Sequence, residues 1–196
     1  MKREDLKELH YIAAIKNVAS IMTEGILSHK KAEKLPHYSV AMPEVQELRA
    51  KKIVPGGRPL HDYANLYVCA RNPMLYKRCD QHDKLCVLRV SPDVLDLRNV
   101  VISDGNAASE YTAFGPSPWG LRLIDNELVF LERWTDPDVI KKWHKARVKC
   151  AEVLVPDRVD SRYILGAYVS GVEGQRALAA TGVGISATID AHLFFR

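Results

Sequence analysis

Long hydrophobic runs are missing from this sequence. No apolar stretch approaches the about 20 residues that a membrane-spanning helix needs. The charged start at residues 1–5 is not followed by the apolar core of a signal peptide. We therefore expect a soluble protein of the cytoplasm.

Paired cysteines and glycine-rich nucleotide loops are also missing. The four cysteines, Cys69, Cys79, Cys86 and Cys150, form no CxxC pair, which argues against a zinc site and against a disulfide framework. Three of them, Cys69, Cys86 and Cys150, lie in apolar surroundings and are expected to pack in the core. The absence of GxGxxG and of a Walker-type loop argues against a doubly wound nucleotide-binding fold.

The composition is that of a globular protein. A hydrophobic content of 47% in 196 residues supports one domain, 1–196, with a sizeable core. The net charge of +4 is compatible with a polyanionic partner but does not identify one. Short strands and helices without a regular βαβ order predict the α+β class.

The hydrophobic pattern predicts the elements. Extended segments are expected at 9–13, 65–70, 85–90, 100–102, 161–169 and 185–193, the last being the clearest alternation. Helices are expected from the Asn17 cap to Gly25, from Pro43 onward, from Asp136 onward and over 173–180.

Two helices carry specific expectations. In the helix that begins at Pro43, Val45 and Leu48 are expected to be buried, and Arg49 to lie on another face. In the helix after Asp136, a buried stripe is expected to contain Val139, Trp143, Ala146 and Cys150, with the lysines and Arg147 largely outside it. The segment 111–122, rich in proline and glycine, is expected to be a long functional loop.

Glu152 stands at the start of the apolar strand Ala151-Glu152-Val153-Leu154-Val155. A carboxylate there is costly to bury unless it is paired or used. The residues alone fit two interpretations: a structural ion pair with a neighbouring lysine or arginine, or a catalytic carboxylate at a strand edge.

Five segments, in one order, resemble a known family. They are V-Q-E-L-R ending at Arg49, G-G-R-P-L-H-D-Y ending at Tyr63, A-R-N-P-M-L-Y ending at Tyr76, S-D-G-N-A ending at Ala107, and K-C-A-E-V-L-V around Glu152. The sequence resembles the DarT family, NAD-dependent DNA ADP-ribosyltransferase toxins of bacterial toxin–antitoxin pairs, from about Leu9 to about Val169. The resemblance implies an ADP-ribosyltransferase-like split antiparallel sheet with flanking helices.

The resemblance also implies the reaction: cleavage of the nicotinamide–ribose bond of NAD and transfer of ADP-ribose to a DNA base. Glu152 would be the catalytic carboxylate near the ribose, whose transition state resembles that of glycoside hydrolysis. Arg49 would be the catalytic guanidinium that bridges phosphates or braces the carboxylate. Without the family motif, Arg49 would be interpreted as an ordinary solvent-exposed arginine of a helix. No metal is required.

Six residues are implied as NAD contacts. The family carries a histidine in its first strand, and here either His10 serves from a shifted register or Tyr11 has replaced it. Asn17 matches a family asparagine, although capping a helix explains it equally well. Tyr67, Met74 and Tyr76 would wall the nicotinamide pocket, with simple core packing as the alternative.

The DNA is expected to be single-stranded, because an exposed base is easier to attack than a paired one. The candidate DNA contacts are Arg71, Arg78, Lys142, Arg147 and Lys149, with Asn106 near the target base and Phe114 and Trp119 as stacking residues. The motif forms resemble most the guanine-modifying branch, which is countered by NADAR-type antitoxins; macrodomain-type ADP-ribosyl-DNA glycohydrolases are the other antitoxin class.

Two other functions are compatible with the sequence. The first is an ADP-ribosyltransferase of the same fold that acts on RNA or protein. The second is a catalytically silent module that binds nucleic acid through the basic helix 139–149.

Overall fold

An eight-stranded sheet runs through the computed structural model, which describes residues 1–196. The strands are β1 (Leu9–Ala14), β2 (Ile26–Leu27), β3 (Tyr63–Tyr67), β4 (Leu85–Val90), β5 (Val101–Ser103), β6 (Phe114–Pro116), β7 (Glu152–Pro156), β8 (Arg158–Val159), β9 (Ile164–Val169) and β10 (Ala187–Ile189). The sheet order is β10-β9-β4-β1-β3-β7-β5-β6, and β2 pairs separately with β8. Only the β9–β10 pair is parallel.

Seven short α-helices flank the sheet: α1 (Val18–Glu24), α2 (His29–Ala32), α3 (Pro43–Lys51), α4 (Pro73–Tyr76), α5 (Asn126–Val129), α6 (Val139–Val148) and α7 (Val172–Ala179). Short 3₁₀ turns connect them, including Leu60–Asp62, Cys79–Lys84 and Trp119–Leu123. None of the helices combines the length and apolar character that crossing a membrane requires.

The sheet has a seam at its centre. β1 pairs with β4 along its whole length, and β3 pairs with β7 along its whole length. Between β1 and β3, however, the only paired position joins His10 to Tyr67. The two halves of the sheet therefore diverge beyond that pair. The predicted α+β class and split antiparallel sheet are confirmed.

The two faces of the sheet bury different clusters. One face carries the main core of 27 buried residues, in which Leu66 and Val153 of the sheet pack with Val18 of α1 and Leu178 of α7. Because side chains alternate along a strand, Tyr67, Glu152 and Leu154 point to the opposite face. That second face carries two smaller clusters and the candidate site.

The extended segment predicted over 185–193 is wrong for most of its length. Only Ala187–Ile189 pairs, as an edge strand. The Asp190 carboxylate then accepts a hydrogen bond from the Leu193 amide and closes a turn. This turn buries Phe194, which is 1% exposed, against the second face, so the alternating pattern continues into a docked turn rather than a strand.

The predicted buried faces of two helices are also wrong. In α3, Leu48 is 58% exposed and Arg49 is buried. In α6, Val139 and Trp143 are exposed, and only the last turn of the helix enters the core, through Val148. The segment 111–122 is not a simple loop, since it contains β6 and a 3₁₀ turn.

Candidate active site

One row of paired residues crosses the sheet and defines the site. Arg89, His10, Tyr67, Glu152 and Ser103 are successive partners on β4, β1, β3, β7 and β5. Paired residues of antiparallel strands share a face, and strands lie about 4.8 Å apart. Tyr67 is therefore the direct neighbour of Glu152, and His10 lies about 10 Å from it.

Glu152 is 1% exposed, and both oxygens of its carboxylate are occupied. Arg49 donates to it in a bidentate arrangement, from Nη1 to Oε1 at 3.1 Å and from Nη2 to Oε2 at 3.0 Å. The Ala107 amide donates a third hydrogen bond to Oε1 at 3.0 Å. The ionic and the catalytic interpretations of Glu152 are thus not exclusive, because the ion pair lies inside the candidate site.

Burial opposes the positive charge of Arg49, but the attraction and hydrogen bonds of Glu152 outweigh it, so the pKa of Arg49 is raised. Arg49 keeps its charge while it is buried. This pairing also explains why α3 turns its arginine inward and leaves Leu48 in solvent.

The turn that carries Ala107 is fixed by Arg147 of α6. The Arg147 guanidinium forks onto the Asp104 carboxylate, with Nη1 to Oδ1 at 2.7 Å and Nη2 to Oδ2 at 3.2 Å. The Arg147 carbonyl accepts a hydrogen bond from the Asn106 amide. A Cβ at Gly105 would lie 2.6 Å from Arg147 Nη1, so the close approach requires glycine there. The motif S-D-G-N-A therefore positions a backbone donor for Glu152.

A cavity of about 240 Å³ opens where β1 and β3 diverge. Its lining includes Tyr11, Ala13, Asn17, Arg49, His61, Asn65, Tyr67, Met74, Asn106 and Cys150. Burial, followed by the negative charge of Glu152, raises the pKa of Tyr67 well above its usual value. Burial likewise raises the pKa of Cys150 to about 12. Both side chains are therefore uncharged at neutral pH, and Arg49 is the charged group that links the cavity to Glu152.

Four of the six predicted NAD contacts line this cavity: Tyr11, Asn17, Tyr67 and Met74. His10 does not line it. Its Nε2 lies 3.2 Å from Glu8 Oε1, within a cluster that also contains Arg89 and Tyr168. Tyr76 does not line it either, because its ring stacks edge-on against Trp134 and Phe195 at the surface. Tyr11, and not His10, is therefore positioned to contact a ligand that binds in the cavity.

Asn17 has a structural role that the sequence did not reveal. Asn17 occupies the N-cap position of α1 as predicted, but its side chain makes no capping hydrogen bond to the helix. Instead, Nδ2 donates to the Tyr38 carbonyl at 2.8 Å, and Oδ1 accepts from the Tyr38 amide at 3.0 Å. Asn17 thereby holds the segment that covers the cavity.

Sequence reasoning missed His61, which also lines the cavity. Its ring lies 4.1 Å from the ring of His29, measured between centroids. Burial, followed by the charge of His29, lowers the pKa of His61. The motif L-H-D-Y contains this histidine, but the pattern alone does not indicate that its ring faces a cavity.

The predicted DNA contacts are mostly occupied within the chain. Arg71 stacks on Phe195 and bonds His192, and Arg78 donates to the Val40 carbonyl. Arg147 braces the turn described above, and Asn106 lines the cavity.

Lys149, a predicted DNA contact, lies in the core instead. It is 1% exposed, and its ammonium donates to the Val129 carbonyl at 3.0 Å and contacts Cys69 Sγ at 3.3 Å. The helix ends at this point and turns the lysine into the core, so Lys149 is not on a surface that DNA can reach. Lys142 is exposed.

The remaining predicted residues are placed as follows. Phe114 lies in β6 and packs on a small cluster, whereas Trp119 is 63% exposed and carries the Arg122 guanidinium on its ring. Cys86 and Cys150 are buried as predicted, while Cys69 is only partly buried. No group of three or more His, Cys, Asp or Glu side chains is arranged to hold a metal ion.

Comparison with known proteins gives the family. The family model described as "ssDNA thymidine ADP-ribosyltransferase, DarT" matches residues 10–192. A fusion protein of a DNA ADP-ribosyl transferase and a DNA ADP-ribosyl glycohydrolase from Thermosipho africanus is 36% identical over 177 residues, covering 85% of this chain and 43% of the fusion protein. A DNA ADP-ribosyl transferase of Mycobacterium bovis is 34% identical over 156 residues, covering 71% of this chain and 66% of the relative.

Solved structures agree. Thermosipho africanus DarTG in complex with ADP-ribose superposes with a TM-score of 0.83 at 32% identity, over 96% of this chain and 51% of that one. Thermus sp. 2.9 DarT in complex with ADP-ribosylated ssDNA gives a TM-score of 0.81 at 22% identity, over 96% of each chain, and shows the shared fold. This chain spans less than half the length of the Thermosipho fusion protein. The family match and the identity to its members together show that the chain belongs to the DarT family.

Proposed function

We propose that this chain is an NAD-dependent DNA ADP-ribosyltransferase that transfers ADP-ribose to a base of single-stranded DNA. The observation that carries the proposal is the ion pair of Arg49, which lines the cavity between β1 and β3, with Glu152, which is buried directly behind it. A carboxylate and a guanidinium in contact beside a cleft that also contains Lys77 suit a ligand that has both a sugar and phosphates.

In this mechanism NAD supplies the ADP-ribose group. Arg49 would bind a phosphate or ribose oxygen from the cavity while it holds the Glu152 carboxylate in its orientation. Tyr67 and Met74 would provide the wall against the nicotinamide ring, with Tyr11 and Asn17 on the β1 side. The bond from the ribose carbon to nicotinamide breaks, a bond to the base nitrogen forms, and Glu152 accepts the proton of that nitrogen.

The partners follow from the relatives. One relative is fused to a DNA ADP-ribosyl glycohydrolase, and one related structure holds ADP-ribosylated single-stranded DNA. We propose that this chain, as a single domain in the cytoplasm, is the toxin of a toxin–antitoxin pair whose antitoxin is a glycohydrolase of the NADAR or macrodomain type.

The target base has two candidates. The family description names thymidine. The motif forms favour guanine, and Asn106, which replaces a family histidine in the turn, lines the cavity where the base would enter. An asparagine side chain offers two N–H donors and a carbonyl acceptor on one amide group, whereas a neutral histidine offers one N–H donor and one acceptor nitrogen on opposite sides of a rigid ring. We therefore expect the contacts of the turn that contains Asn106 to decide which base is modified.

Mass spectrometry of oligonucleotides after incubation with NAD tests the proposal. Four acceptors that each contain one base type, together with RNA and protein acceptors, are treated with the protein and with Glu152→Gln as the matched control. We expect ADP-ribose on one DNA base with the native protein and none with the variant. Modification of RNA or protein instead would overturn the DNA assignment, and equal activity of the variant would remove Glu152 from the mechanism.

A further inference from the structure

The N-terminal part of α6 is an unexplained surface of this fold. Val139, Ile140 and Trp143 are 54%, 75% and 67% exposed, and all the residues from Val139 to His144 are exposed. Large apolar side chains grouped at the surface mark an interaction site more often than a single exposed one does.

The apolar residues form one continuous ridge. Residues four apart on a helix lie on one face, so Val139 and Trp143 follow each other along it, and Arg147 lies on the same face one turn further on. Ile140 lies three residues before Trp143 and widens the ridge beside the indole. At 1.5 Å per residue, Trp143 lies about 6 Å along the axis from Arg147.

The ridge leads to the active site. Arg147 binds Asp104, and its carbonyl accepts from the amide of Asn106, a residue that lines the cavity. Asn106 is followed by Ala107, which donates to Glu152. The end of α6 and the turn 104–107 therefore connect the exposed indole of Trp143 to the carboxylate of Glu152.

The charge of the helix favours an anionic occupant. The sequence from Val139 to Lys149 contains no acidic residue, and both Lys141 and Lys142 are exposed. The two nearby carboxylates are engaged, Asp136 with Lys145 at 2.7 Å and Asp138 with the amides of Ile140 and Lys141. Proteins hold single-stranded nucleic acids by stacking bases on exposed aromatic rings and by placing cationic side chains near the phosphates.

We propose that the ridge of Val139, Ile140 and Trp143 holds the DNA beside the target nucleotide, with a neighbouring base stacked on the indole of Trp143. This inference rests on the proposed function. Trp143 replaces Trp119 as the stacking residue, because the Arg122 guanidinium already covers one face of the Trp119 ring, 4.6 Å from the ring centroid. Lys142, the exposed residue next to Trp143 in the chain, holds a neighbouring phosphate.

Binding of labelled oligonucleotides by fluorescence anisotropy tests the inference. Trp143→Ala is expected to weaken the binding of a long single strand about ten-fold. Trp143→Phe, which keeps a ring, is expected to restore much of it. Trp119→Ala is the matched control, because it removes an equally exposed indole, and it is expected to bind like the native protein. Unchanged binding by Trp143→Ala, or a larger effect of Trp119→Ala, would overturn the inference.

Two further readouts separate the possible outcomes. In a Trp119→Phe, Trp134→Phe background, the fluorescence of Trp143 is expected to be quenched when DNA is added, and no quenching would place the DNA elsewhere. Light scattering tests the alternative occupant, since a native dimer that Trp143→Ala splits, without loss of DNA affinity, would assign the ridge to a second copy.

The proposed function is judged separately. It fails if the native protein transfers no ADP-ribose to any DNA. The inference alone fails if the native protein transfers ADP-ribose and Trp143→Ala does so equally well on long and short acceptors. It is supported if the variant loses activity on long acceptors only and keeps the native rate on an acceptor too short to reach Trp143.

Discussion

Arg49 and Glu152, 103 positions apart in the sequence, meet in a bidentate ion pair at 3.0–3.1 Å that solvent barely reaches. A buried pair of this kind contributes little net stability when it is complete. Removing one partner is costly, because the other charge is left uncompensated. The same two residues therefore affect both the fold and the proposed chemistry.

Glu152→Ala is accordingly expected to lose transfer and also to destabilise the protein. Breaking a buried pair costs about 3–5 kcal/mol in the free energy of unfolding. Denaturant unfolding of Glu152→Ala, Arg49→Met and the double variant measures the effect. The double variant should recover most of the loss, and strictly additive losses would show that the two charges do not depend on each other.

The contact between Asp104 and Arg147 should control the rate through the turn that carries Ala107. Asp104→Asn removes the charge that holds Arg147 and loosens the donor to Glu152. Because a displacement of about 1 Å in an active site can reduce the rate about 100-fold, we expect kcat to fall about 10- to 100-fold with little change in NAD affinity.

A matched control for this variant removes another carboxylate that binds a side chain of α6. Asp136→Asn breaks the Lys145–Asp136 pair at 2.7 Å but touches neither the turn nor Glu152. It should retain native kcat. Equal rate losses in the two variants would mean that α6 as a whole, and not the turn, sets the rate.

The sequence was sufficient for the features that rest on local pattern or on matched motifs. The strand Leu85–Val90 and the helix near 173–180 follow directly from apolar periodicity. Glu152 and Arg49 were paired in one site because two separate motifs matched one family, and the structure brings both into contact.

The errors share a physical cause, which is that tertiary partners decide the direction of a side chain. Periodicity assigns Leu48 and Trp143 to a core and Lys149 to solvent. The structure reverses all three, because α3 turns toward Glu152 and only the last turn of α6 reaches the sheet. A single sequence contains no signal for the angle at which a helix meets its neighbours.

Lys149 provides a test of one such reversal. Replacing it by methionine removes a buried ammonium that donates to only one backbone oxygen. We expect the free energy of unfolding to change by no more than about 1 kcal/mol, because apolar groups of similar volume often replace buried charges without loss.

DNA binding by Lys149→Met should match that of the native protein, with the same dependence on salt. Lys142→Met is the exposed control, and it should lower the slope of log K against log salt by about 1. A lower slope for Lys149→Met would mean that the lysine leaves the core to meet DNA.

Glu8 should make the stability of the protein depend on pH. Its carboxylate accepts hydrogen bonds from Arg89 at 2.7 Å and from the Tyr168 hydroxyl at 2.8 Å, and lies 3.2 Å from His10. Burial opposes its charge, but these contacts outweigh burial and lower the pKa of Glu8 from 4.5 to about 2. A lowered carboxyl pKa stabilises the folded state above pH 4.5, and this contribution is lost as the pH falls toward 2.

Glu8→Gln is therefore expected to reduce the free energy of unfolding at pH 7 by about 1–3 kcal/mol, and the difference from the native protein should shrink between pH 4.5 and pH 2. Urea unfolding at a series of pH values measures it. Glu132→Gln, which removes an exposed carboxylate that also faces a histidine, is the control and should show no comparable loss. A Glu8→Gln deficit that stays constant down to pH 2 would mean that packing, and not the charge of Glu8, stabilises this end of β1.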